Sequence, residues 1–155
     1  MSPRAAWRLE VIGFTRVYDY APGKADWGSF GLPLEGDRDS STRAGAHMQT
    51  DIPTCTLEES LSEVCERVRA AGWDTCLVVN DRRVVLGRLG RAALVDGGGQ
   101  TIEEAMTLGP STVRPSRELD KALDRMRREN LTSLPVTRSD GVLLGLLVRD
   151  RLEHQ

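Results

Sequence analysis

Apolar residues follow two patterns along the C-terminal two-thirds of the chain, and each pattern occurs twice. Leu61, Val64, Cys65 and Val68 recur at i, i+3, i+4 and i+7, one face of an amphipathic helix. Leu119, Ala122, Leu123 and Met126 repeat the arrangement 58 residues later. Each predicted helix is followed by two short apolar runs around a polar turn. Residues 75–79 and 84–89 flank Asn80-Asp81-Arg82-Arg83; residues 133–137 and 142–148 flank Arg138-Ser139-Asp140-Gly141. Such pairs predict hairpin-like strands. Thr56 with Glu59 predicts a capping box for the first helix, and Ser116 predicts a cap for the second. Gly72 and Asn130 stand at equivalent C-terminal positions, and both types tolerate the left-handed backbone that ends helices. A last short helix begins near Arg91 in one copy and Arg149 in the other.

A shift of 58 residues lays 54–94 on 112–152 without a gap. Identities include Thr54/Thr112, Leu61/Leu119, Arg67/Arg125, Val78/Val136, Gly87/Gly145 and Leu94/Leu152, about a quarter of the positions. The shared pattern is stronger evidence than the identity: each copy reads strand–helix–strand–strand–helix. Between them, Asp96-Gly97-Gly98-Gly99 predicts a flexible break. Thr101-x-x-Glu104 then predicts a capped short helix through Met106. One such unit has a marginal core, so the two are expected to bury one another's apolar faces.

Composition narrows the function classes. Of 155 residues, 39% are hydrophobic and 28% charged, as in a soluble globular protein. A net charge of −2 gives no global attraction to nucleic acid. Arg117, Lys121, Arg125, Arg127 and Arg128 form a basic run, but Glu118, Asp120, Asp124 and Glu129 interleave with it. An Asp124–Arg128 pair is expected, and the helix face reads as internally neutralised, with no nucleic-acid partner. No apolar run reaches membrane-spanning length, and no apolar segment follows Arg4 and Arg8 as in a secretory signal. No membrane partner and a cytoplasmic location are the expectations. Cys55, Cys65 and Cys76 are odd in number and align with Val113, Leu123 and Leu134, so they read as small buried hydrophobes. With only His47 and His154, both distant, no metal site and no catalytic residue is expected.

The second copy has Met106-Thr107, Thr112-Val113, a helix ending at Asn130, Leu134-Pro135-Val136, and Gly141 through Gly145. In that order and spacing they resemble a CBS domain, the module named after cystathionine β-synthase. The first copy is similar more loosely, with Leu77 at the position of Pro135. The resemblance implies an α+β fold, a tandem CBS-domain pair of two β-α-β-β-α repeats about a pseudo-two-fold axis. The expected organisation is an N-terminal piece (1–36), a linker (37–50), repeat 1 (51–95), an inter-repeat linker with a short helix (96–106) and repeat 2 (107–155). It further implies a non-catalytic regulatory module, a homodimer and an unidentified protein partner. Its clefts between repeats would take adenosine-containing ligands such as AMP, ATP or S-adenosylmethionine. No cofactor is required; the candidate ligand is an adenine nucleotide or another anion. The candidate cleft residues are Thr54, Arg88, Arg91, Thr112, Pro135, Arg149 and Arg151.

Two family ligands are replaced. The family's pattern places a Ser/Thr for phosphate and an Asp/Asn for ribose after the strand glycine. Here Val148 and Arg151 stand in the second copy, Gly90 and Ala93 in the first. Asp150 comes one residue early, which on a helix turns it about 100° away. Weak AMP binding is therefore expected, with Arg88, Arg91, Arg149 and Arg151 left to hold an anion.

Residues 5–36 resemble the closing piece of a rhodanese-like domain, on Leu9, Gly13 and Phe14, the Val17-Tyr18-Asp19-Tyr20 run, then Gly23, Asp26, Trp27 and Gly31-Leu32-Pro33. That makes 1–36 a truncated α/β extension anchored by Trp7, Phe14, Tyr18 and Trp27, with Val17 to Tyr20 as a strand. Sulfur transfer needs an activated cysteine, and none precedes Cys55, so a sulfurtransferase is the least favoured alternative.

Overall fold

The computed structural model describes residues 3–18, 20, 22–30, 32, 42–96 and 99–154. Gly97 and Gly98 of the expected break lie outside the described residues, as does Asp19. The helices α1 (Pro3–Val11) and α2 (Gly23–Ser29) precede α3 (Ala44–His47). The first repeat then runs β1 (Thr54–Cys55), α4 (Leu61–Ala70), β2 (Cys76–Val79), β3 (Val85–Leu89) and α5 (Arg91–Asp96). After α6 (Ile102–Ala105) and β4 (Thr107–Leu108), the second runs α7 (Leu119–Arg128), β5 (Ser133–Thr137), β6 (Leu143–Val148) and α8 (Arg149–Glu153).

The 58-residue equivalence holds bond by bond. Val78 pairs with Gly87 as Val136 pairs with Gly145, and both hairpins slip register at the next residue. Cys55 lies parallel to Val78 as Val113 lies parallel to Val136. The axis relating the copies runs between Val84 and Val142, which are equivalent and form an antiparallel bridge with each other. Around it the Leu143 N–H donates to the Arg83 carbonyl (2.9 Å) and the Val85 N–H to the Gly141 carbonyl (3.2 Å). Arg83 adopts φ +59°, the left-handed conformation that its equivalent Gly141 takes at no steric cost.

Each repeat completes the other's sheet. β4 pairs with β3 at Thr107↔Arg88, and Gln49 bridges Leu146 at the equivalent place. The segment expected as a linker up to residue 50 thus carries α3 and this bridge; its polar composition hid Ala44, which is fully buried. The exchange explains the identical glycines. A Cβ on Gly87 would overlap Met106, and one on Gly145 would lie 2.6 Å from the Gln49 carbonyl and 2.9 Å from Met48. Met48 and Met106 are themselves equivalent under the same shift.

Two clusters fill the repeats, one around Val64, Val68 and Val78, the other around Met126, Leu134 and Val136. A third, made by Leu77, Val79, Leu143 and Leu146, joins them with Ile52, Trp73, Val85 and Val148 packed against it. The three cysteines are buried, all in the first cluster. A hydrogen bond with Cys55 and burial push the Cys76 thiol up, and burial raises Cys65, so both stay protonated.

Helix starts differ from expectation. The N-caps are Ser60 and Glu118, neither with a side-chain cap bond. Glu59 does accept the Thr56 N–H (2.8 Å), but within the turn before α4, because Arg67 draws its carboxylate into an ion pair (2.7 Å). Ser116 instead offers its carbonyl to Arg43 (2.6 Å). The Thr101/Glu104 capping box is present, and Gly72 (φ +72°) and Asn130 (φ +50°) both end their helices left-handed. Asp124 pairs with Arg127 (3.8 Å) rather than Arg128, which reaches Glu129 (3.8 Å).

The N-terminal expectations need correction. Trp7, Phe14 and Tyr18 are 63%, 58% and 76% exposed, so they are not buried anchors among the described residues. Val17, Tyr18 and Tyr20 form no strand, since no partner strand exists beside them among the described residues. Trp27 is half-buried and meets Tyr20 edge-on at 5.3 Å, while Phe30 lies 4.6 Å beneath the Arg138 guanidinium. These contacts rest on a few rings, whereas each repeat rests on a closed apolar cluster.

Candidate functional site

β2 and β5 are entered from short loops, Trp73-Asp74-Thr75 and Leu131-Thr132, with Ser133 opening β5 at the position equivalent to Thr75. The ends of β3 and β6 pass directly into α5 and α8. Antiparallel pairing brings entry and exit to the same edge of each hairpin, and the pseudo-two-fold places the two edges side by side. Between them opens a cavity of about 480 Å³, a size that suits a small ligand. Trp73, Asp74, Thr75, Arg69 and Arg91 border it from repeat 1, and Thr132, Ser133, Val148, Asp150 and Arg151 from repeat 2.

One wall is aromatic: the Arg151 guanidinium lies 5.7 Å over the Trp73 ring, a cation–π contact joining the repeats. Arg69 holds the Leu94 carbonyl (3.2 Å). The two hydroxyls at equivalent positions differ. Thr75 donates to the Leu89 carbonyl (3.2 Å), whereas the Ser133 hydroxyl is buried without a partner among the described residues. A buried hydroxyl without a partner costs about 1–3 kcal/mol.

The expected cleft residues do not all converge. Arg91 and Arg151 border the cavity. Arg88 lies mid-strand between Leu77 and Thr107, its guanidinium 3.9 Å from where a Cβ on Gly90 would stand. The space left by the missing hydroxyl side chain in repeat 1 is therefore next to an arginine. Thr54 and Pro135 are strand residues paired with Leu77 and Leu146, and the Arg149 N–H bonds the Thr132 carbonyl at the start of α8. Thr112 borders a different cavity on the outer side of repeat 2. Asp150, expected to turn away, borders the inter-repeat cavity beside Arg151, because the opening spans the whole first turn of α8. Trp73, Asp74, Thr132 and Ser133 were missed. Their signal was present: both copies carry polar residues immediately before the central strand.

Among the described residues, no group of three or more His, Cys, Asp or Glu is placed to hold a metal ion. No helix among them is long and apolar enough to cross a membrane.

A family model described as CBS domain matches residues 44–97 and again 102–153. Among solved structures, the chain is similar to the cytosolic domain of the Mg2+ channel MgtE in complex with ATP (TM-score 0.68, 21% identity). That match covers 74% of this chain and 48% of the other. The CBS domain pair of protein MJ0100, in complex with 5′-methylthioadenosine and S-adenosyl-L-methionine, matches at TM-score 0.66 and 17% identity, covering 73% and 94%. CBSX2, a protein of Arabidopsis thaliana, in complex with AMP matches at TM-score 0.67 and 21% identity, covering 72% and 93%.

Proposed function

The chain belongs to the CBS-domain family, and from that premise we propose that it is a regulatory CBS pair which senses an adenine nucleotide rich in phosphate in the cavity between its repeats. CBS pairs are generally regulatory modules, and burial raises the pKa of the Cys65 thiol at the cavity's edge. The observation that carries the reading is a cavity between the repeats bordered by Trp73, the Asp74 and Asp150 carboxylates and three arginines. Trp73 offers a base a stacking face, Asp74 and Asp150 offer carboxylates to ribose hydroxyls, and Arg69, Arg91 and Arg151 offer positive charge to phosphates. The ATP, AMP and S-adenosylmethionine complexes of similar folds support the ligand class.

Val148 in place of the family's hydroxyl and Arg151 in place of its carboxylate move the preference from ribose toward phosphate. Affinity should rise from AMP to ATP and fall with salt. Losing one charge-assisted hydrogen bond costs about 1.5–3 kcal/mol, one to two orders of magnitude in affinity for AMP. A ligand at about 100 times its Kd adds about 2.7 kcal/mol of stability, a melting shift of several degrees. Thermal shift and calorimetry across AMP, ATP, S-adenosylmethionine and tripolyphosphate test this. Tight AMP binding, or no shift with any of them, overturns it; Val148→Thr with Arg151→Asp should restore AMP binding.

The assembly that goes with this reading is a homodimer reporting to a partner protein, checked by sedimentation at tens of micromolar. Residues 1–36 we read as rhodanese-like; no cysteine precedes Cys55, so thiosulfate-to-cyanide transfer by this chain should not exceed buffer.

A further inference from the structure

On the outer side of repeat 2, away from the inter-repeat cavity, a second cavity of about 520 Å³ opens between the segment around Arg43 and the start of α7. Its border includes Arg43, Arg114, Arg117, Lys121 and Arg125, with Glu118 as its one carboxylate. Two of the cations are offset by acids: Lys121 pairs with Glu118 (2.7 Å) and Arg125 with Glu129 (3.1 Å). The other three are not. Among the described residues, Arg43 donates only to the Ser116 carbonyl (2.6 Å). Arg114 donates to the Thr137 hydroxyl (2.7 Å) and to the Thr137 and Arg138 carbonyls. These neutral oxygens fix both guanidinium groups in place and leave their charge uncompensated. The Arg117 guanidinium has no ion-pair or hydrogen-bond partner among the described residues, and the Thr112 and Ser116 side chains stand beside it at the border.

The wall is built by close backbone contact. The Ala44 N–H bonds the Arg117 carbonyl (2.8 Å) and the Gly45 N–H bonds the Pro115 carbonyl (2.9 Å). Only glycine allows that approach, since a Cβ at Gly45 would stand 2.9 Å from Pro115.

The other repeat is an internal control. The positions of Arg43, Arg114, Arg117 and Lys121 are Thr101, Thr56, Glu59 and Glu63 there. Its one arginine at this place, Arg67, is neutralised by Glu59 at 2.7 Å. The same backbone therefore forms without the positive cluster, so folding does not require it. Gathering three uncompensated arginines costs electrostatic repulsion that a bound anion removes. We infer that this cavity in repeat 2 is a second binding site, for a compact anion bearing phosphate, held by Arg117 and Lys121 in the field of Arg43 and Arg114. Its size fits a small phosphorylated molecule.

The probe is pyrophosphate, titrated by calorimetry into the whole chain at low salt and at about 0.15 M. The key variant is Arg117→Glu with Lys121→Glu, which installs the residues of the other repeat at two exposed positions; Arg117→Ser with Lys121→Ser is the fallback should that variant not fold. Pyrophosphate affinity should drop by about ten- to a hundredfold, with the ligand-free melting temperature unchanged. Arg91→Ser with Arg151→Ser, in the inter-repeat cavity, should leave that binding event intact. The inference is overturned if pyrophosphate binds the Arg117/Lys121 variants as it binds the parent, if only the Arg91/Arg151 variant loses it, or if the parent binds none at low salt.

Discussion

Repeat 1 and repeat 2 share strand register, the bounds of α4 and α7 and the same slip in each hairpin, yet they differ in what their equivalent positions carry. Arg88 in one is Leu146 in the other, Glu59 is Arg117, Thr75 is Ser133, and Gly90 is Val148. The positions that agree include apolar cluster residues and the glycines that admit the exchanged segments, with Thr54/Thr112 and Arg67/Arg125 among the polar ones. Backbone and core therefore constrain a minority of positions tightly. Charge and ligand chemistry are free to diverge at the rest, and here they diverge in opposite directions on the two outer faces.

The largest test of that contrast lies at the inter-repeat cluster. Leu146 is fully buried there, and Leu146→Ala should cost about 2–5 kcal/mol in denaturant unfolding. Arg88→Ala at the equivalent, half-buried position should cost under about 1 kcal/mol. Equal losses would mean that the repeats bear the core equally. Next come the equivalent glycines. Gly145→Ala meets the Gln49 backbone, which cannot yield without breaking the bridge to Leu146, and should cost about 2–3 kcal/mol. Gly87→Ala meets only the flexible Met106 side chain and should cost about 1 kcal/mol. Reversal of that order would break the reading that backbone exchange, not side-chain packing, fixes Gly145.

The smallest effect is acidic. Burial works against the Glu59 carboxylate, but the Thr56 N–H and the Arg67 guanidinium outweigh it and hold its pKa below the usual range. Such a group contributes stability above its unfolded pKa, near 4.3, and loses it as pH falls through the lower folded value. Glu59→Gln should flatten the acid limb of the stability curve by about 0.2–1 kcal/mol, the range of exposed ion pairs. An unchanged acid limb in Glu59→Gln would place the pH dependence elsewhere.

Much of the fold was legible because its determinants are local. The spacing of Leu61, Val64, Cys65 and Val68, and of their counterparts, specifies a buried helical face whatever packs on it. The polar turns and left-handed ends at Gly72 and Asn130 are likewise set within a few residues. Caps were less legible, since the reach of Arg67 to Glu59 and of Arg43 to Ser116 spans distant sequence. So was the site. Arg91 and Arg151 were found from the family pattern, while Trp73 and Ser133 were not, because their value depends on which edge faces which.

By itself, the sequence determined the duplication, the main helix and hairpin of each repeat, and the apolar role of Cys55, Cys65 and Cys76. Those follow from periodicity and from alignment of one half on the other. Only the tertiary structure decided that Met48-Gln49 and Met106-Thr107 cross to the opposite repeat, and that Trp73 meets Arg151. It alone separated Thr112 from the other candidate residues and left the Ser133 hydroxyl unpartnered. The physical reason is common to all of these. Periodicity reports which face of an element is buried, but which partner buries it is fixed by a symmetry axis through Val84 and Val142 that no local pattern encodes.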